Sequence, residues 1–451
     1  MANAAPFIPA QPARTRDWTP IWRGFFGERL KNSIYGWPEP AFDMRHRARR
    51  VLGFTIHILA DPDDVQRVLL DNKVNYLRPG IARRILSPLI GNGLLSSEGE
   101  DWKAQRKIVA PSFAPGAVAK MAEAITSVGR AQVASWPAAP SRIDMARAGT
   151  EATMAIIANT LFSGDERLTT PAAGRHIDDL IVAGGQARVT TMLGLNDWDP
   201  TPTMRRARVS RAFLRETLTR LVRERGPSGG ADDFFGGLIR ALHAQFPPAE
   251  AEALAVDNAI TFYVAGHETT ANALAWTIYC LAGQPELQED ARAEAIAALG
   301  GDVATLADRT PLLRAILDEA MRLYPPAPRF DREAQAGDAL AEARVEKGDL
   351  VSLWPWLLHR HRALWSDPDR FDHTRFLPEA KVKLHKFQYI PFGGGPRVCV
   401  GARFAVVEAL IMLAHWLAAR RFALPPGFRP DPVGSVTLRP RGGMPLIVAP
   451  L

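Results

Sequence analysis

Cysteine is nearly absent: 451 residues carry two, Cys280 and Cys399, and neither belongs to a CxxC pair. That excludes a disulfide framework and a four-thiolate metal site, fits a reducing compartment, and leaves any sulfur chemistry to a single thiolate. Lysine is scarce too, 9 residues against 46 arginines. The net charge of +7 is spread along the chain, with no basic arm or stripe; this argues against a nucleic-acid partner and leaves room for an acidic protein to dock. Long hydrophobic runs are missing. The longest, Phe404 to Ala419, is interrupted by Glu408 and His415 and reads as a buried helix, not a membrane span. Met1 to Pro20 show no charged segment followed by an apolar stretch and no small-residue cleavage pattern. The expectation is a soluble, cytoplasmic protein without a membrane anchor. Also missing are internal repeats, a glycine-rich dinucleotide fingerprint, and any polar linker longer than Gly226 to Asp233.

What is present is ordinary for a large globular chain: 47 % hydrophobic and 23 % charged residues, with Gly and Pro dispersed. One domain over residues 1–451 is expected, with 1–20 as an extended N-terminal segment. Apolar residues three and four apart predict helices over Pro115 to Ala134, Gly149 to Phe162, Thr203 to Glu224, Ala249 to Ala282, Glu286 to Leu299, Leu312 to Leu323 and Ala402 to Ala419. Strand signals are few: Arg50 to Leu59, Glu342 to Leu353 around the Lys347-Gly348-Asp349 turn, and Ser435 to Leu438 paired with Leu446 to Ala449. The fold class is mainly α with small β-sheets.

Four segments carry chemistry. Phe392 to Gly401 reads FGGGPRVCVG and leads into the helix from Ala402. Glycines and a proline stop regular structure there, let backbone N–H groups approach a ligand or the sulfur, and place Cys399 before a helix N-terminus, which favours the thiolate. The bland alternative is an inert cysteine in a loop. Inside the apolar stretch Ala249 to Ala282 sits Ala265-Gly266-His267-Glu268-Thr269-Thr270. Ala265 and Thr269 are four apart and share a face, and a threonine hydroxyl bonded one turn back loosens a helix into a notch. Alone, the run could equally be a kink with solvated polar residues. Glu319 and Arg322 are three apart before Leu-Tyr-Pro-Pro, and Trp102 and Arg106 are four apart; such pairs are common on helix surfaces. His359-x-His361 has the spacing of two metal ligands but no third follows.

Together these segments resemble the cytochrome P-450 haem-thiolate monooxygenases. The pattern Phe-x-x-Gly-x-Arg-x-Cys-x-Gly is matched at Phe392, Gly395, Arg397, Cys399 and Gly401. The resemblance implies a triangular, prism-like helical protein carrying haem b, with Cys399 as the axial iron ligand, Phe392 shielding the sulfur, and Arg397 on a haem propionate. It implies that Thr269 steadies dioxygen, that Glu268 relays protons, and that His267 is structural. It assigns Glu319 and Arg322 a structural ion cluster completed by Arg375, within the segment Trp365 to Phe376, where His373 stands in place of a customary proline. Trp102 and Arg106 would face a propionate, as would Arg332 by position and, more weakly, His359.

The reaction implied is insertion of one oxygen atom of dioxygen into an apolar substrate. Thr261, Phe262 and Ala265 would line the pocket, with the variable segments Ile81 to Leu94, Val189 to Trp198, Ala327 to Phe330 and Gly434 to Val436. Lacking a nucleotide fingerprint, the chain would use NAD(P)H only indirectly, through a ferredoxin and its reductase or a flavodoxin-type donor. That donor would dock where Lys103, Lys107, Arg360, Arg362, Lys383, Lys386 and Arg403 collect. A monomer is expected. The rival readings are a peroxide-driven peroxygenase, disfavoured by Glu268 and Thr269, a non-catalytic haem-thiolate sensor, and a hydrolytic Cys399 nucleophile, for which no histidine–acid partner is legible.

Overall fold

The computed structural model describes residues 6–19, 27–51, 54–184, 199–341 and 343–451. The expected pocket segment Val189 to Trp198 lies outside them. In chain order come β1 (His46–Val51), β2 (Phe54–Leu59), β3 (Tyr76–Leu77), α1 (Gly80–Ile90), α2 (Gly99–Val109), α3 (Ala122–Ser135), β4 (Ser141–Asp144), α4 (Met145–Leu161) and α5 (Pro171–Gly184). Then follow α6 (Pro202–Arg225), α7 (Phe234–His243), α8 (Pro248–Ala282), α9 (Pro285–Leu299), α10 (Pro311–Leu323), β5 (Phe330–Ala334), β6 (Asp338–Leu340), β7 (Ala343–Val345) and β8 (Leu350–Leu353). The chain closes with α11 (Ala402–Ala419), β9 (Arg420–Ala423), β10 (Asp431–Gly434), β11 (Leu438–Arg441) and β12 (Pro445–Pro450).

Local chemistry explains the helix ends. Prolines stand in the first turn of α6, α9 and α10, where a missing N–H costs nothing. The Thr201 and Asp233 side chains cap α6 and α7. The first amides of α10 are instead taken by the Glu294 carboxylate of α9, from Leu312 at 2.9 Å and Leu313 at 2.8 Å. Gly226, at φ 62°, ends α6.

Two compact units emerge. The first comprises residues 1–77, 129–150 and 269–451. It holds a five-stranded sheet ordered β1-β2-β8-β5-β3, a three-stranded sheet β4-β12-β9, and the ribbons β10-β11 and β6-β7. Leu59, Val65, Leu69, Val351, Leu353 and Phe387 form one core beneath the larger sheet, and α9 packs on α11. Within the expected extended N-terminal segment Ala10 is buried and tied to this unit: Tyr324 Oη donates to the Ala10 carbonyl at 2.6 Å, and the Ala10 amide donates to Tyr279 Oη at 3.0 Å. The second unit comprises residues 78–128 and 151–268. Here α6 packs on α5, and Phe113, Phe234 and Phe262 meet edge to face or tilted.

Three expectations need correction. Pro115 to Ala134 is not one helix: a five-residue turn, Pro115–Ala119, precedes α3. Arg50 to Leu59 is not one strand but parts of the β1–β2 hairpin. Ser435 to Leu438 does not pair with Leu446 to Ala449. Ser435–Thr437 is the tight turn between β10 and β11, and β12 pairs with β4 and β9. Likewise β7 and β8, on either side of the Gly348 turn, pair with β6 and with β2 and β5, not with each other.

Candidate active site

The first unit carries the thiolate loop. Gly393 and Gly395 have φ of 74° and 65°, which a side chain would strain. At Gly395 an added Cβ would also stand 1.9 Å from the Leu69 carbonyl oxygen. The loop is thus pressed against Leu69, and only glycine fits. Beyond it the Cys399 amide donates to the Phe392 carbonyl at 2.9 Å, closing the loop just before α11. The two cysteines contrast. Cys280 is fully buried and its thiol is pushed well up by burial, whereas Cys399 is exposed in the middle of partly buried loop residues. Phe392 and Arg397 flank it half-buried.

The same unit holds the ion cluster. Glu319 and Arg322 are fully buried and doubly bonded, at 2.6 and 2.7 Å. Arg322 also donates to the carbonyls of His359 and Pro368, both at 2.7 Å, and of Arg370 at 3.1 Å. The Asp372 amide donates to Glu319 at 2.8 Å, and Arg375 Nε approaches it at 3.6 Å. The structure therefore brings Arg375 to Glu319, with His373 accommodated in the short 3-10 turn His373–Phe376. Burial draws the Arg375 pKa down, opposed chiefly by Glu319. His359 is drawn into packing: its Nε2 accepts from the Ile390 amide at 2.9 Å, and burial lowers its pKa well below the usual range. Arg332, on β5, is 9 % exposed and donates to its neighbour's carbonyl at 2.9 Å.

Helix α8 passes through both units, and their boundary falls between Glu268 and Thr269. Along it, residues 255–263 are all buried, yet Ala265 is exposed and Thr269 partly so. Exposure at i and i+4 of an otherwise buried helix marks one accessible face. Glu268 is buried at 8 % exposure. In the second unit Thr261 and Phe262 are also buried. Thr261 Oγ1 donates to the Asp257 carbonyl at 2.8 Å, and a Cβ at Gly93 would stand 2.5 Å from that hydroxyl, so its side chain is walled in by the loop after α1. Trp102 and Arg106 lie one turn apart on α2, both half-buried.

In the first unit the loop offers an accessible thiol on a backbone only glycine can build, a donor that can hold a metal-bearing cofactor. On α8 the accessible residues are small Ala265 and, one turn on, the hydroxyl-bearing Thr269. The family profile described as cytochrome P-450 matches residues 50–444. The chain belongs to the cytochrome P-450 family. It is 31 % identical over 400 residues to cyclooctatin synthase of Streptomyces melanosporofaciens, covering 88 % of this chain and 85 % of that protein. Cyclooctat-9-en-7-ol 5-monooxygenase of the same organism is also 31 % identical, over 375 residues, covering 82 % and 81 %. In fold, the haem domain of cytochrome P-450DA superposes with a TM-score of 0.77 at 24 % identity, covering 90 % of both chains. This P-450 is a monooxygenase, and the family implies haem held by a cysteine thiolate.

Several features of this P-450 were not legible in its sequence. Arg360, expected on a docking face, is 2 % exposed: it stacks on Trp356 at 3.6 Å and donates to the Leu323 carbonyl, and burial lowers its pKa to about 9. Arg362 is engaged by Asp43 and Glu39, and Lys103 by Glu100. Glu408, on α11, is fully buried; desolvation pushes its pKa to about 8 and the Thr270 hydroxyl offsets only part of that. His267 is buried beside Asp178, 3.9 Å away, and burial lowers its pKa to about 4, so it is neutral. Asp257 binds Arg215 at 2.5 Å and the Asn92 amide at 2.7 Å, clamping the loop after α1 to α8 within the second unit. Among the described residues α11 is the one helix long and apolar enough to cross a membrane, and it is 72 % buried.

Proposed function

We propose that this P-450 hydroxylates or epoxidises an apolar, terpenoid-like alcohol, with electrons from NAD(P)H delivered by a separate ferredoxin and reductase. The observation that carries the reading is the exposed Cys399 thiol on its glycine loop, in a chain whose helix α8 is accessible at Ala265 and Thr269. Bound at Cys399, haem supplies reductive activation of dioxygen, one atom entering the substrate and the other leaving as water. Arg397, Arg332, Trp102 and Arg106 are assigned to its propionates, Gly395 to the close approach of the loop, and Phe392 to shielding the sulfur from water. Glu268 passes protons inward to the Thr269 hydroxyl, which holds a proton at the position where dioxygen is reduced. Ala265 leaves space beside that hydroxyl; Phe262 supplies apolar surface further along α8, and Thr261 packs behind it. The Glu319–Arg322–Arg375 cluster fixes the segment leading toward Cys399.

The substrate class follows from two supports. The α8 face is apolar apart from its one hydroxyl, and a relative's name denotes monooxygenation of an unsaturated alcohol, cyclooctat-9-en-7-ol. The test is a panel of cyclic terpenoid alcohols incubated with the protein, a surrogate ferredoxin, its reductase and NADH, beside Thr269→Ala. Expected are products one oxygen heavier for the wild type. The variant should consume NADH at a comparable rate while diverting most electrons to hydrogen peroxide. Thr269→Ala forming product as efficiently as the wild type would contradict the assignment.

A further inference from the structure

The backbone turn that carries Glu268 and Thr269 is held from outside its own helix. The Thr153 hydroxyl, on α4, donates to the carbonyl of His267 at 2.9 Å, and the contact is buried. A mid-helix carbonyl ordinarily serves the amide four residues on. Such a carbonyl has a second lone pair, so a side-chain donor from a neighbouring helix can share it with the ladder amide and tie that turn to its neighbour. The contact belongs to a stripe. Gly149, Thr153 and Ile157 are four apart and share one face of α4. A Cβ added at Gly266 would stand 2.9 Å from Ile157 Cδ1, and one added at Gly149 would stand 3.0 Å from the Ala271 carbonyl oxygen. Each glycine allows a close approach on one side of Thr153, which brings the hydroxyl against the carbonyl of the residue directly before Glu268.

We propose that Thr153 is a positioning residue for the acid–alcohol pair: by holding the His267 carbonyl it fixes the turn from which Glu268 and Thr269 project. It governs how protons reach the reacting oxygen, not which substrate binds. The inference rests on the proton-relay role given to Glu268 and Thr269 above. Thr153 touches neither substrate nor cofactor; it acts through the backbone. Valine at this position keeps the branched shape and removes the donor, whereas serine keeps the donor, so the pair separates hydrogen bonding from packing.

The test uses the haem-loaded protein with Thr153→Val, Thr153→Ser and Thr269→Ala. The first readout needs no turnover: hydrogen–deuterium exchange of the α8 amides around His267 should be about fivefold faster in the valine variant, the scale of one lost hydrogen bond, and near wild type in the serine variant. The second is peroxide released per NADH consumed with the best-converted alcohol of the panel. It should rise about fivefold with valine and recover with serine, while the KM for that alcohol moves by less than about twofold. Wild-type exchange or wild-type coupling in the valine variant would overturn the proposal, as would a serine variant as defective as valine. Should Thr269→Ala itself stay coupled, the relay reading fails and the proposal with it, whereas uncoupling in Thr269→Ala but not in Thr153→Val refutes Thr153 alone.

Discussion

Glu408 shows what a single residue can hide. In the sequence it only interrupts an apolar run. In the structure it is a fully buried acid with the Thr270 hydroxyl as its favourable neighbour, and its pKa rises from 4.5 to about 8. The folded state therefore binds this proton more tightly than the unfolded chain does. Its contribution is fully present below the unfolded pKa of 4.5 and is lost as pH climbs toward about 8, levelling off above that. Glu408→Gln has no charge to bury, so its stability should lack this slope and exceed that of the wild type above pH 8, by an amount on the order of a few kcal/mol. Urea unfolding of both proteins across that range checks it; parallel stability–pH curves would contradict it. Cys399, Glu268 and Thr269 stand out as candidates in the sequence because their signals are local: glycines before a thiol, an acid and a hydroxyl inside an apolar helix. The burial of Glu408 and Arg360 does not, because it depends on what packs against them from distant parts of the chain.

Among the elements, six of the seven helices expected from periodicity were legible nearly to their ends, since proline in the first turn and the 3.6-residue period both lie within a short window, whereas α1, α2, α5 and α7 were not among those expected. Strand pairing was not legible. β12 finds its partners in β4 and β9, and β4 lies some three hundred residues earlier, as in the Leu446–Ile143 register pair. The join between α10 and the segment Trp365 to Phe376 lies between these extremes. The Glu319–Arg322 pair could be read from the helix, but the three carbonyls that Arg322 also serves could not. Those bonds make removal of either partner costly, because a buried charge is left stranded. Arg322→Ala and Glu319→Ala should each lose about 3–5 kcal/mol and most of their soluble, haem-loaded yield. Denaturant midpoints within error of the wild type would show that the cluster bears little of the fold.

For the whole molecule, the order of the motifs along the chain conveyed the family, while the distribution of charge conveyed less. The net charge of +7 suggested a basic docking face, but of the cations expected there Arg360 is buried, and Arg362 and Lys103 are already paired. Lys383 and Lys386 stay exposed in the first unit, in the stretch leading to the thiolate loop, and Arg403 is exposed just after Cys399. Exposed charges of this kind steer an acidic partner and set the salt dependence of association more than affinity. Lys383→Glu with Lys386→Glu should raise the KM for the proposed ferredoxin severalfold at low salt, with the difference shrinking at high salt. An unchanged KM at low salt would remove this surface from the account. The central claim concerns Cys399 itself, and the visible spectrum of the dithionite-reduced, carbon-monoxide-treated protein beside Cys399→Ala tests it most directly. The account predicts a strongly red-shifted Soret band in the wild type that is lost in the variant. A haem band unchanged by the substitution, or no haem band in the wild type, would contradict it.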